Sequence, residues 1–160
     1  MIVREGVEGV EGVEGTDGER GNAVVEFLGL ALVLLLPVMY LVLTLGRVQA
    51  ATFAVEGAAR ESARAFVTAS SSADGAERAV VAVGLALADQ GFDEADPGSA
   101  LGVSCSAAGC LAPGGSVETV VRLDVPLPFV PGFVRDAVPL SVPVEARHVV
   151  DVDEYAARRP

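Results

Sequence analysis

The stretch that decides the fold is residues 21–69, which begins Gly21-Asn22-Ala23-Val24-Val25-Glu26-Phe27. Within it, the twenty residues 27–46 carry no charge. A helix rises about 1.5 Å per residue, so a run of this length reaches across the roughly 30 Å hydrocarbon core of a lipid bilayer. Because that core holds no water to satisfy backbone groups, a single span must be helical. We therefore predict a transmembrane helix over residues 22–46.

Two residues of this helix need a particular explanation. Glu26 lies at the start of the apolar run, where a carboxylate is costly unless it finds a partner, so it is a functional candidate. The alternative is a headgroup-region carboxylate that the dipole of the helix N-terminus favours. Pro37 lies near the middle of the run and has no N–H for the carbonyl of Val33, which predicts a kink.

The helical pattern continues beyond the apolar run without a turn signal. Small and apolar residues recur at helical spacing, at Val48, Ala51, Val55, Ala58, Ser62 and Phe66. We predict that residues 47–69 are an amphipathic continuation of the same helix. Its small, alanine-rich face is suited to packing against other helices.

Taken together, these residues resemble the TadE/TadG-like minor pseudopilins of the tight-adherence pilus machinery. Gly21, four residues and then Glu26-Phe27 is similar to the type IV prepilin processing motif. Gly46-Arg47 follows the span, and the second motif is Ala58-Ala59-Arg60-Glu61-Ser62-Ala63-Arg64, in which Ser62 stands where the family usually has glycine. The match covers about residues 20–67.

The resemblance implies that a prepilin peptidase cuts between Gly21 and Asn22. Glu26 then becomes residue five of the mature chain and pairs with the new α-amine of Asn22 on a neighbouring subunit. The implied partners are other pilin or pseudopilin subunits, the prepilin peptidase, an inner-membrane assembly platform and the lipid bilayer. The implied location is the cytoplasmic membrane, as a single-pass protein with its N-terminus in the cytoplasm, its C-terminal domain outside and a place in a surface filament.

The distribution of arginine argues against this orientation. The chain has no lysine, and the arginines near the span are Arg4 and Arg20 before it and Arg47, Arg60 and Arg64 after it. Counting these charges alone places the C-terminal side inside. We follow the resemblance because the cysteines described below require an oxidising exterior.

Residues 1–21 are interpreted as a leader. Val-Glu-Gly occurs three times in residues 7–15, and six acids with two arginines give the segment a net charge of −4. So short a polar tract cannot bury a core, and we therefore expect it to be disordered. The resemblance implies that it is also cleaved. Its acidity departs from the short basic leaders of the resembled family. The alternative is a secretory signal peptide cut after Ala50, although such peptides have a basic flank and a shorter apolar region.

Residues 70–160 are predicted to form a small exterior domain. Asp74-Gly75-Ala76-Glu77 reads as a capping box that opens a second helix ending near Gln90. Alternating apolar residues predict strands over 101–106, 117–125 and 138–152, and Pro139 and Pro143 make the third an edge strand. The expected fold class is α+β, with a long transmembrane helix continuing into an exterior stalk, a second short helix and an antiparallel sheet of about three strands.

Cys105 and Cys110 flank Ser-Ala-Ala-Gly in this domain. Two ligands are too few for a structural zinc site, and the spacing is not that of a redox Cys-x-x-Cys motif. We predict a disulfide, which forms in an oxidising compartment. The connection 126–137 carries Phe129 and Phe133 between prolines, and it either tucks under the sheet or forms a contact tip.

Composition excludes several classes of function. A net charge of −11 argues against nucleic-acid binding, which needs a basic footprint. His148 is the only histidine, and we find no nucleophile–base pair, phosphate loop or metal-ligand cluster. We expect no enzymatic activity, no catalytic residue, no cofactor and no metal. The expected function is assembly of a pilus or secretion filament, and the alternative is a single-pass protein whose exterior domain binds an envelope partner.

The first testable prediction concerns processing. The mature chain should begin at Asn22, and Gly21→Val should abolish this cut because a bulkier side chain blocks the approach of the backbone to the peptidase. N-terminal sequencing of the protein from intact cells measures both outcomes. Recovery of Met1 or Ala51 as the mature start would contradict the pseudopilin interpretation.

Overall fold

The computed structural model describes residues 17–106, 109–130 and 140–155, with side chains from Asn22 onward. Within these ranges the elements are α1 (Asp17–Val67), α2 (Ser72–Asp89), α3 (Pro97–Ala100), β1 (Leu101–Cys105), β2 (Ser116–Pro126) and β3 (Ser141–Asp151). The three strands form one antiparallel sheet, so the predicted α+β class is confirmed. The chain divides into two compact units, Met1–Tyr40 and Leu41–Pro160, which are described separately.

Helix α1 begins at Asp17, earlier than the predicted start at Asn22. Residues 17–21 of the expected leader are thus helical, and residues 1–16 lie outside the described part of the chain. The extension is favoured because lengthening an existing helix needs no new nucleus.

In the first unit, α1 exposes its large apolar side chains, including Phe27 and Leu35, and the helix continues through Pro37. Among the described residues this is one helix long and apolar enough to cross a membrane. An 18-residue stretch of this helix has a mean hydropathy of 2.6, and none of that stretch is buried. A contiguous apolar surface of this extent is uncommon on soluble monomers and marks a membrane or a partner surface.

In the second unit, the side chains along one face of α1 are buried and form part of the hydrophobic core. The buried members are Ala51, Ala54, Val55, Ala58, Ala59, Ser62, Ala63 and Phe66, at helical spacing. The first five of them cluster with Val83 and Leu87 of α2 and with Val121 and Val125 of β2, whereas Phe66 belongs to a second cluster with Leu111 and Val117. The alanine-rich face was predicted to pack against other helices; it packs against α2 and also against the chain's own sheet.

Helix α2 begins at Ser72, and its N-cap lies three residues before the cap predicted at Asp74. Ser71 is the N-cap, and its Oγ accepts a hydrogen bond from the Asp74 N–H at 3.2 Å. The Asp74 carboxylate accepts from the Ser70 N–H at 3.0 Å and from the Arg78 side chain at 2.8 Å. These bonds, the Ser70 N–H first, hold the pKa of the Asp74 carboxyl below its ordinary value. The serine is preferred as the cap because its side chain satisfies a free N–H of the first turn.

The sheet order is β1-β2-β3, so β2 is central. Its inner face carries Val117, Thr119, Val121 and Val125, all buried, as the alternating pattern predicted. On β3 the even-numbered residues are half-buried and the odd-numbered ones exposed, also as predicted.

Pro143 lies on an edge strand, as predicted. Two backbone hydrogen bonds mark the register between β2 and β3. The Leu127 N–H donates to the Leu140 carbonyl, and the Val152 N–H donates to the Gly115 carbonyl. In an antiparallel ladder, hydrogen-bonded and non-hydrogen-bonded residue pairs alternate along the strands. The N–H and C=O groups of the odd-numbered β3 residues therefore point away from β2. Pro143 therefore removes no ladder bond, as expected for proline at an edge. The predicted strand residues Val138 and Pro139 lie outside the described ranges.

The predicted disulfide between Cys105 and Cys110 is confirmed, with an S–S distance of 2.06 Å and a Cα–Cα distance of 5.1 Å. Cys105 is the last residue of β1, and both half-buried cysteines pack against a small cluster that includes Leu111 and Val117. The bridge ties the end of β1 to the chain that returns toward β2.

The second prediction concerns this bridge. In denatured, unreduced protein from cells, both cysteines should resist alkylation until a reductant is added, because the bond forms in an oxidising compartment. In Cys105→Ser the remaining Cys110 should be alkylated without reduction, which controls for access of the reagent. Alkylation of both cysteines of the wild-type chain before reduction would contradict the predicted exterior location.

Candidate functional site

The first candidate site is the start of the apolar helix. Glu26 is exposed on α1, next to the exposed ring of Phe27. Among the described residues its carboxylate has no hydrogen-bond or ion-pair partner. A shallow apolar groove of about 510 Å³ runs along the same helix, lined by Phe27, Leu30, Ala31, Leu34, Leu35 and Val38. The small Ala31 within this groove lets another helix approach closely.

Gly21 and Asn22 both lie inside α1. Glycine in a helix interior costs about 1 kcal/mol relative to alanine, and α1 has two glycines here, Gly18 and Gly21. The Gly21–Asn22 bond therefore lies in a segment of low helix propensity. Opening matters because proteolysis of a folded segment acts on its transiently opened state.

Arg47, the second residue of the Gly46-Arg47 motif, holds the C-terminal end of α2. Its guanidinium Nη2 donates to the Gly91 carbonyl at 2.9 Å, and its Cζ lies 4.0 Å from the centroid of the Phe92 ring. A cation near a helix C-terminus is favoured by the dipole, and its position over an aromatic face adds a cation–π contribution. Gly46 itself is exposed, and a Cβ there would meet nothing within 4 Å.

Gly91 is the turn residue that makes this arrangement possible. Its φ is 74°, in the left-handed region that glycine adopts without steric penalty. The Gly91 N–H donates to Ala88 and the Phe92 N–H to Leu87, both at 2.9 Å, which closes the end of α2. Phe92 then turns inward and is only 5% exposed, directly beneath Arg47.

The second motif of the long helix divides between two faces. Ala59 is buried, and its carbonyl accepts hydrogen bonds from the Thr119 Oγ at 2.7 Å and from the Ser62 Oγ at 3.1 Å. Arg60, Glu61 and Arg64 are exposed. The small residues let the strand approach the helix backbone, and the charged residues remain at the surface of the unit.

Thr119, Gly91 and Phe92 are the site residues that sequence reasoning did not single out. Thr119 carries a recognisable signal, because it is the one polar residue among the valines and leucine on the inner face of β2. A buried hydroxyl needs a partner, which here is a helix carbonyl. Gly91 and Phe92 directly follow the predicted end of the second helix near Gln90, and no spacing in the sequence marks their contact with Arg47.

The acidic residues Asp93, Glu94 and Asp96 and the single histidine form no metal site in the part of the chain that is described, where no group of three potential ligands occurs. Asp96 is the N-cap of α3 and accepts from the Ser99 and Gly98 N–H groups. The Ser99 side chain, followed by the N–H groups of Ser99 and Gly98, holds the pKa of the Asp96 carboxyl below its ordinary value. His148 lies in a shallow groove with Glu56, Arg60 and Glu145.

Comparison with known proteins identifies no relative: no family model matches the chain, and no curated protein or solved structure matches it significantly.

The third prediction tests the contact between Arg47 and the end of α2. Arg47→Ala should raise the amide hydrogen-exchange rate of residues 91–95 about fivefold, because it removes an interaction of roughly 1 kcal/mol. Arg64→Ala is the matched control, since Arg64 is an exposed arginine on the same helix, and it should leave these rates unchanged. The measurement uses the full chain in detergent micelles. Equal exchange in Arg47→Ala and wild type would show that the contact does not stabilise the loop.

Proposed function

We propose that this chain is a single-pass protein of the cytoplasmic membrane that acts as a TadE-like minor pseudopilin. In this proposal a prepilin peptidase removes the leader after Gly21, and the mature subunit enters or primes a pilus or secretion filament. Its partners are other pilin or pseudopilin subunits and an inner-membrane assembly platform.

One observation carries the proposal: Glu26 is an exposed carboxylate at the start of an exposed apolar helix and has no partner among the described residues. Ionised groups at such positions are retained when they pair, because an unpaired charge near lipid is costly. Cleavage before Asn22 creates an α-amine that is largely protonated at neutral pH, given an ordinary pKa of about 7.7–8.0. Pairing the two groups between subunits removes both unpaired charges at once.

The other end of α1 supports the same interpretation. The Ala59 carbonyl fastens the helix to the sheet through the Thr119 hydroxyl, while Arg60, Glu61 and Arg64 stay exposed. The second motif therefore contains buried residues that hold the domain together and exposed residues that are available for contact with neighbouring subunits. The confirmed disulfide agrees with a domain that matures in an oxidising compartment.

The fourth prediction tests Glu26 as an assembly residue. Glu26→Ala should insert into the membrane and be processed normally, because removing a charge makes insertion easier. It should nevertheless lose crosslinking to partner subunits. Removing one member of a desolvated ion pair costs about 3–5 kcal/mol, which weakens association at least about 100-fold. Glu26→Gln keeps the shape but not the charge and should fail nearly as badly.

The matched control is Glu56→Ala, which removes an exposed glutamate from the same helix within the second unit. It should crosslink like the wild-type chain. The assay is crosslinking in intact cells, normalised to the amount of processed, membrane-inserted protein. Wild-type crosslinking by Glu26→Ala would favour the plain single-pass alternative, in which Glu26 is a headgroup carboxylate.

A further inference from the structure

The described start of the β2–β3 connection presents an aromatic ring to the outside. Phe129 is 78% exposed, so this part of the connection does not tuck under the sheet. Its φ is 59°, and among the described residues it is the one non-glycine residue with a positive φ. An aromatic residue in this region is a genuine outlier whose strain the surrounding structure must hold, and such outliers cluster where a protein contacts a ligand or a surface.

The backbone beside Phe129 has few donors that need water. Pro126 and Pro128 have no N–H, and the Leu127 N–H donates to the Leu140 carbonyl at 3.1 Å. Every N–H of residues 126–128 is thus either missing or already bonded. A segment of this kind can enter an apolar environment without leaving these donors unsatisfied.

The position of the loop indicates which apolar environment it meets. Residues 126–129 line a groove of about 410 Å³ together with Leu43 and Arg47 of α1. Leu43 belongs to the uncharged run and lies three residues before its end at Gly46, or about 4.5 Å along the helix. All these residues belong to the unit Leu41–Pro160. The loop therefore lies beside the last turn of the apolar run, where the run gives way to a charged residue.

We infer that residues 127–129 insert into the boundary between headgroups and acyl chains of the leaflet from which α1 emerges, with Phe129 as the anchoring side chain. This inference rests on the proposed membrane span of α1. Apolar groups of interfacial segments typically lie about 5–10 Å deep, at the boundary where aromatic side chains are enriched. The anchor fixes the domain against the membrane by a second contact besides the helix.

The surrounding charges indicate that a zwitterionic lipid surface is the appropriate partner. Arg47 is next to the loop, but its guanidinium is engaged by Gly91 and Phe92. The adjoining groove carries the carboxylates of Asp93, Glu94 and Asp124. These carboxylates do not attract anionic lipids. The free energy that favours insertion therefore comes from burial of the apolar Phe129 ring.

The fifth prediction uses tryptophan as a depth reporter, since the chain has none of its own. Three single variants are reconstituted as full chains in phosphatidylcholine vesicles, with acyl chains brominated either near the headgroup or deep in the chain. Phe129→Trp reports the loop. Leu35→Trp reports the span, and Phe53→Trp is the matched control, a 67% exposed aromatic ring on α1 about 15 Å beyond Leu43. Far-UV circular dichroism that matches the wild-type chain checks that each variant is folded.

Phe129→Trp should lose about half of its emission with shallow bromines and less with deep ones, because its ring lies at the interface. Leu35→Trp should be quenched most by deep bromines, and Phe53→Trp by neither. If Leu35→Trp is quenched and Phe129→Trp is not, the inference is overturned while the span stands. A blue-shifted but unquenched Phe129→Trp would mean contact with protein and would equally overturn it. If Leu35→Trp is unquenched, the span itself fails and the inference falls with it.

Discussion

One helix, α1, has to satisfy two different surroundings with one continuous hydrogen-bonded backbone. In the first unit its side chains are large, apolar and exposed, which suits a medium without water. In the second unit the inward stripe is built largely from alanine, which suits close approach by a strand. The change from large to small side chains along one helix is the constraint on which the remaining elements depend.

The small side chains decide how the domain is held. Because alanine leaves the helix backbone accessible, the Thr119 hydroxyl reaches the Ala59 carbonyl at 2.7 Å from the centre of the sheet. Among the described residues, every buried side-chain nitrogen or oxygen has a hydrogen-bond partner. Arg47 adds a second attachment, from α1 to the end of α2. A small domain with a modest core gains specificity from such directed contacts, which large apolar side chains alone do not provide.

The proposed function and the proposed lipid contact both follow from groups that this folded core leaves outside. Glu26 is a charge without a described partner, and Phe129 is an apolar ring without cover. Each is unfavourable for an isolated chain in water, and each becomes favourable against a particular surface. In the two proposals, that surface is a neighbouring subunit with a free amine for Glu26 and the edge of a bilayer for Phe129.

Much of this protein follows from its sequence alone, because the signals involved are local and periodic. The long helix, the α+β class, the alternating faces of β2 and β3 and the disulfide were all predicted from residue spacing. The start of α1 at Asp17 and the cap of α2 at Ser71 differed from the prediction, since several acidic and hydroxyl residues compete for helix ends.

What the sequence could not supply is the pairing of residues far apart in the chain. Three of these pairings join residues that lie dozens of positions apart in the chain: Ala59 with Thr119, Arg47 with Phe92, and Leu43 beside Phe129. No periodicity encodes which distant element a helix face will meet, because that choice depends on how the whole core packs. The sequence by itself determined which residues are buried or exposed on each element, and only the tertiary structure decided which of them meet.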